Sequence, residues 1–235
     1  MLAIKNIFKN YNDLDVLANL SIDFIPNKIN VILGKSGCGK TTLLKLLSKN
    51  ILPTSGTIKN EFTKTSYVFQ NDNLIPWKTV QQNIEFVLKH LSIQERKKQL
   101  DYALKMINLE EYKHFYPKEL SGGMNKRVDL GRAFAYNPDL LIMDEPFSSL
   151  DSNTTQKIVS DLVKVQSATS KTIILVTHNI DLAVALGDIF FLLTDKPTQL
   201  KATLKKIDFI KNDHENSSFE KEQLKNTILS TLFGV

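Results

Sequence analysis

Over the first third of the chain, apolar residues come in short runs separated by turn residues. Residues 2–8 and 20–25 read as strands, with Pro26, Asn27 and Lys28 as the turn into the next. Residues 29–33 form a short run rich in Ile, Val and Leu, the pattern of a parallel strand covered on both faces. After a glycine-rich stretch the period lengthens. Leu43, Leu46, Leu47 and Ile51 fall at helical spacing, with Lys45 and Lys49 on the opposite face. Residues 53–56 (PTSG) close that helix, and residues 66–69 read as a further strand.

From Val80 to about Asn137 the pattern is helical throughout. Ile84, Val87, Leu88 and Leu91 make one stripe, and Leu100, Ala103, Leu104 and Ile107 another. This block predicts a helical subdomain inserted between strands. Strand signals return at residues 140–143, 172–177 and 189–194, with helices between the first two and after the second. Strands alternating with helices predict an α/β protein with a mainly parallel sheet. Past about residue 200 Lys, Asp, Glu, Asn and Ser dominate, which predicts a short strand with a peripheral helix, or a loose tail.

Composition changes this picture little. With 235 residues, 42% hydrophobic and 23% charged, the chain has the profile of a globular protein, not of a disordered or membrane-integral one. A single cysteine, Cys38, excludes an internal disulfide and a Cys-cluster metal site, as suits a reducing compartment. The first fifteen residues carry charges too closely spaced for a signal peptide. The longest apolar run, residues 182–193, is broken by Gly187 and Asp188, short of the roughly 20 residues a spanning helix needs. The expected location is the cytosol or the cytosolic face of a membrane. The net charge of +5 points first to a polyanion: nucleic acid, a membrane surface or phosphate.

Gly34, Lys35, Ser36, Gly37, Cys38, Gly39, Lys40, Thr41 and Thr42 fit the pattern G-x-x-x-x-G-K-[ST] between a predicted strand and a predicted helix. Glycines there let backbone N–H groups turn inward around phosphates, and the start of the helix favours the anion. Lys40 would reach the β and γ phosphates, and the Thr41 hydroxyl would ligate Mg²⁺. The loop predicts nucleotide binding without separating a kinase, a GTPase and a motor. Cys38 reads as a small filler at a variable position. Its place near a helix N-terminus would lower its pKa and expose it to alkylation that nucleotide blocks.

Residues 140–145 (LLIMDE) form an apolar strand ending in two carboxylates, at the edge where open α/β sheets bind ligands. Asp144 would hold Mg²⁺ through water, and Glu145 would act as the general base on the attacking water. Upstream, Leu120, Ser121, Gly122 and Gly123 precede Met124. Here the chain resembles the ATP-binding cassette (ABC) ATPases, whose LSGGQ signature is matched in its first four positions. Other family elements follow in order over roughly residues 1 to 200. Tyr11 is placed like the adenine-stacking aromatic, and Gln70 like the Q-loop glutamine that meets Mg²⁺ and water. Ser149, Leu150 and Asp151 match the D-loop, and His178 the switch histidine at the γ-phosphate. Met124 stands where the signature has Gln, and Asn179 follows the histidine where Asp is common.

The resemblance implies an α/β fold of phosphate-loop NTPase type: a mainly parallel, RecA-like core with an N-terminal antiparallel β part and an inserted helical subdomain. Residues 1–79 and 138–200 would form the core, 80–137 the helical subdomain and 201–235 a short extension. It also implies a head-to-tail homodimer with ATP and Mg²⁺ held between the phosphate loop of one copy and Ser121, Gly122 and Gly123 of the other. Residues 73–84 (NLIPWKTVQQNI) with the LSGGM run resemble the nitrate/sulfonate/taurine-type importer ATPases. That similarity implies a separate integral-membrane permease, an extracytoplasmic solute-binding protein and a peripheral position on the cytoplasmic membrane face. Two readings of Trp77 stand, an anchor for a permease helix or packing within the subdomain. Alternatives are an exporter ATPase with a separate membrane subunit, and a DNA-repair or nucleotide-sensing ATPase. About eighty residues without sustained heptads separate loop and signature, too few for the coiled coil of the DNA-repair class. Residues 1–60 hold eight basic and three acidic residues, so the excess charge gathers around the phosphate loop. Without an Arg-rich stripe, nucleic acid is not an expected partner.

Overall fold

The computed structural model describes residues 1–70, 73–148, 150–209 and 218–234. In chain order the elements are strands β1 (Leu2–Tyr11), β2 (Leu14–Phe24) and β3 (Ile29–Leu33), helix α1 (Lys40–Leu47), and strands β4 (Ser55–Asn60) and β5 (Thr65–Val68). Helices α2 (Val80–Glu85), α3 (Ile93–Ile107) and α4 (Gly122–Ala135) follow, then β6 (Leu140–Asp144) and α5 (Ser152–Thr169). The chain ends with β7 (Thr172–Val176), α6 (Ile180–Leu186), β8 (Ile189–Leu193), β9 (Leu200–Lys205) and α7 (Ser218–Phe233). Contacts divide it into two compact units, Met1–Thr63 with Ser170–Val235, and Lys64–Thr169.

In the first unit, β1 pairs antiparallel with β2 on one side and β4 on the other. Leu2, Ile4, Ile7, Leu20 and Ile22 bury one face of this sheet. Strand β3 lies between β7 and β8, parallel to both, and β8 pairs antiparallel with β9. Every residue of β3, β7 and β8 is buried, as their mostly apolar runs predict for strands covered on both faces. Of their two polar members, Thr172 accepts from Asn27 N–H at 2.9 Å, and Asn30 accepts from Ile25 N–H at 2.8 Å through Oδ1 while its Nδ2 donates to the Ile25 and Lys28 carbonyls. That pairing shapes the turn before β3.

Two strands depart from the periodicity. β2 begins at Leu14, not at Leu20, and β4 occupies residues where only a helix stop is predicted. Asn19 in β2 has φ 53°, and the β1–β2 register shifts repeatedly, so strict alternation is lost. β4 is an edge strand with a mostly exposed pattern, which leaves little hydrophobic signal. Of the tail, β9 forms the expected strand. Helix α7 docks through Leu224, Ile228 and Leu232, all buried, and its Lys225 pairs with Asp181 of α6 at 2.6 Å. Among the described residues no helix is long and apolar enough to cross a membrane.

In the second unit, β5 and β6 pair in parallel. Helices α2, α3 and α4 close over Val80, Ile84, Leu88, Leu100, Leu104, Ile107 and Val128, with Val87 and Leu91 partly buried against them. Capping boxes start α2 (Thr79 with Gln82) and α3 (Ser92 with Glu95), each satisfying N–H groups at the helix start that have no partner within the helix. At Gly131 a Cβ would stand 2.7 Å from Ile107 Cδ1, so the close approach of α4 to α3 requires glycine there.

Candidate nucleotide site

The phosphate loop of the first unit leaves β3 and enters α1 through two left-handed glycines, Gly37 at φ 75° and Gly39 at φ 112°. At Gly39 a side chain would also press on Thr198 Oγ1 and Val16 Cγ1, each 3.1 Å from a Cβ there. The Lys40 side chain is buried and folds back over the loop, its Nζ donating to the Gly34 and Lys35 carbonyls at 2.8 Å each. The ammonium therefore sits in the curl of the loop, while Ser36, Gly37 and Thr41 are exposed and Thr42 half-buried. Lys35 turns outward to pair with Asp195 at 3.0 Å. Thr198, buried, donates its hydroxyl to the Cys38 carbonyl and ties the loop from outside. Sequence reasoning missed Thr198, because 160 residues separate the partners and no local pattern marks it.

Cys38 corrects an expectation. It is 2% exposed, and burial pushes its thiol above the usual range despite the helix start and the nearby Lys40. Its sulfur occupies the space over Gly34, where a Cβ would lie 2.8 Å from it. The filler reading stands and the reactive one falls.

Tyr11 ends β1 half-exposed, with Lys9 Nζ 4.9 Å from its ring centroid, and so leaves an aromatic face at the sheet's rim. His178 follows β7 and is exposed. Asn179 caps α6, its Oδ1 accepting from Leu182 N–H at 2.9 Å. Asn and Asp cap helices about equally well, so the cap does not depend on having Asp there.

In the second unit, Asp144 closes β6 and is 3% exposed, with Glu145 half-buried after it. Glu145 adopts φ 47°, a left-handed conformation that costs a non-glycine residue about 1 kcal/mol and recurs at functional sites. Its carbonyl is held by the N–H and hydroxyl of Ser148. On the neighbouring strand, burial and the Asp144 charge push the Tyr67 hydroxyl far above the usual phenol range. Gln70 is exposed just past β5, and the Lys126 ammonium holds its carbonyl at 2.9 Å.

Ser121 is the N-cap of α4, its Oγ accepting from Met124 N–H at 3.2 Å. A Cβ on Gly122 would meet nothing within 4 Å, so the chain's own packing does not demand glycine there. Gly123 follows within the same first turn, half-buried. Met124 packs partly against the helical core, a packing role for the residue that departs from the signature. Asp151 is exposed and caps α5, accepting from Thr154 N–H at 2.9 Å, a bond that holds its carboxyl below the usual range. Ser149 of the expected D-loop lies outside the described residues.

A strand–phosphate loop–helix unit, together with an apolar strand ending in Asp and Glu, defines a phosphate-loop NTPase. Residues 17–148 match the ABC transporter family, and the chain belongs to that family of ATPases. It is 36% identical to the taurine import ATP-binding protein TauB of Yersinia pestis, covering 85% of this chain and 82% of the relative. It is 36% identical to the nitrate import ATP-binding protein NrtD of Synechococcus elongatus (81% and 73%). An uncharacterized ABC transporter ATP-binding protein of Methanocaldococcus jannaschii is 34% identical over 98% of this chain and 91% of its own. Among solved structures, the ATP-binding cassette MJ0796, dimeric and bound to ADP and Pi in a post-hydrolysis state, superposes with a TM-score of 0.80. It shares 30% identity and covers 87% of this chain and 98% of its own. The fold is the ABC-type α/β fold that the signature run implies.

Proposed function

We propose that this chain is the ATP-hydrolysing subunit of an ABC importer, working as a homodimer on the cytoplasmic face of the membrane beneath a separate permease. The observation that carries the reading is the exposed start of α4. Ser121 and Gly122 stand open, with nothing over Gly122 that would exclude a side chain. A glycine that the chain's own packing does not need suits close approach by something else. The γ-phosphate of ATP held on another copy's loop is the ligand this helix start favours.

In this reading the backbone of residues 34–39 and the Lys40 ammonium bind the phosphates, and Tyr11 stacks on the base. Thr41, Gln70 and Asp144 offer only oxygen donors, the set that Mg²⁺ prefers, and would hold it together with phosphate oxygens. Bound there, the ion would neutralise charge on the phosphates. Glu145 takes the proton of the attacking water, while His178 and Asp151 complete the site on the γ-phosphate side. A small solute delivered by an extracytoplasmic binding protein is the cargo. Relatives named for taurine and nitrate import support uptake over export. Trp77 is the anchor for the permease helix, a reading that its 74% exposure supports over packing within the subdomain.

Glu145→Gln tests the central assignment. The purified variant should bind ATP and form a stable dimer by light scattering. Hydrolysis should fall by about 100-fold or more, the contribution of a general base. Near-normal turnover would sink the role of Glu145.

A further inference from the structure

Helix α4 does more than present Ser121 and Gly122. Two cations along it, Lys126 and Arg132, reach the segment that follows β5. Lys126 is 1% exposed, and its ammonium donates to the Phe69 carbonyl and, at 2.9 Å, to the Gln70 carbonyl. Arg132 donates to the Asn73 carbonyl at 2.8 Å and is itself held by Asp129 at 2.5 Å. One helix thus holds the carbonyls of Phe69, Gln70 and Asn73.

The two carbonyls on Lys126 belong to the peptide units before and after the Gln70 Cα. Each peptide unit is a rigid plane. Tethering both planes to one nitrogen restrains φ and ψ of Gln70 together, and with them the direction in which its side chain leaves the backbone. Burying an ammonium carries a large desolvation cost, and an apolar side chain of similar length would fill the space without it. What the ammonium adds is donation to these carbonyls.

We propose that Lys126 is a positioning residue for ATP hydrolysis: it sets the aim of Gln70 and makes the glutamine follow the signature helix. The proposal rests on the reading of Gln70 as the glutamine that meets Mg²⁺ and the attacking water. Because α4 follows directly on Ser121 and includes Gly122, any displacement of that helix start is transmitted to Gln70 through Lys126, five residues on from Ser121.

The test is a double-mutant cycle in the full chain with Lys126→Met, Lys126→Gln, Gln70→Ala and Lys126→Met/Gln70→Ala. ATP hydrolysis is measured against ATP and Mg²⁺, with thermal unfolding alongside. Misplacing a catalytic group by about 1 Å costs about 100-fold, so K126M should lower kcat by about 10- to 100-fold. Its KM for ATP should stay within about threefold, because the phosphate loop is untouched. K126Q keeps N–H donors and should lose only about threefold. In the Q70A background neither change should lower kcat further by more than about twofold. Undiminished kcat in K126M, or an equal loss in the Q70A background, overturns the proposal. Should K126M fail to fold, the threefold loss in K126Q and its disappearance in the Q70A background carry the same decision. Wild-type kcat in Q70A alone, where Lys126 is intact, would instead refute the role of Gln70, and the proposal with it.

Discussion

Two glycines nine residues apart on α4 should respond with opposite sign to the same substitution. At Gly122 a Cβ meets nothing within 4 Å, and the backbone is helical. Alanine there gains helix propensity and removes freedom from the unfolded chain, about 0.5 kcal/mol in the first turn. At Gly131 the same propensity gain reaches about 1 kcal/mol. Against it, the new Cβ would lie 2.7 Å from Ile107 Cδ1 and 3.2 Å from Ile107 Cγ2, a side chain 1% exposed within the helical core. Overpacking of that kind costs about 1–3 kcal/mol, so the net effect is a loss of about 1 kcal/mol. For a chain of this length each kcal/mol moves Tm by about 2–4 °C. Thermal unfolding without nucleotide should place G122A about 1–2 °C above the parent and G131A about 2–4 °C below it. ATP hydrolysis separates folding from function. G122A, though more stable, should lose about 100-fold, since in the proposed mechanism its methyl group stands where the γ-phosphate approaches. A stabilised G131A would refute the packing argument, and a fully active G122A would remove the exposed start of α4 from the mechanism.

Burial makes further outcomes measurable. Cys38 should react with iodoacetamide about 100-fold more slowly in the native protein than in urea, with or without ATP, because it is 2% exposed and its thiolate is disfavoured. Fast native labelling would contradict the loop packing. Of the six tyrosines, Tyr67 should ionise last in an alkaline absorbance titration. The native state keeps a proton that the unfolded chain releases above about pH 10, so stability falls as pH rises through that point. Tyr67→Phe should make that decline shallower, and an unchanged decline would count against burial of the hydroxyl. Trp77→Ala should leave stability within about 0.5 kcal/mol, because the ring is 74% exposed. The same variant should lose co-purification with the permease; retained co-purification would move the docking site elsewhere.

Legibility in the sequence followed the range of the interaction. The strands β3, β7 and β8 show in runs that are almost wholly apolar, because burial on both faces leaves room for a polar residue only where it is hydrogen-bonded, as Asn30 and Thr172 are. The edge strand β4 left no such trace, and the irregular β2 showed only its second half. Asn179 and Asp151 were met as family positions, but their work as helix caps became visible only with the N–H groups they hold. The net charge of +5 pointed to a polyanion in general; only the structure shows the Lys40 ammonium buried and curled onto the carbonyls of its own loop.

By itself the sequence determined the phosphate loop, the Asp144–Glu145 strand end and the signature run. Each is a contiguous pattern in which backbone geometry and chemistry are read from neighbours. Only the tertiary structure decided that Cys38 is a buried filler, that Trp77 faces outward, that Thr198 ties the phosphate loop, and that Lys126 grips the backbone around Gln70. These are matters of desolvation and of bonds across long stretches of chain. Both arise when distant segments meet, and no local spacing encodes which will.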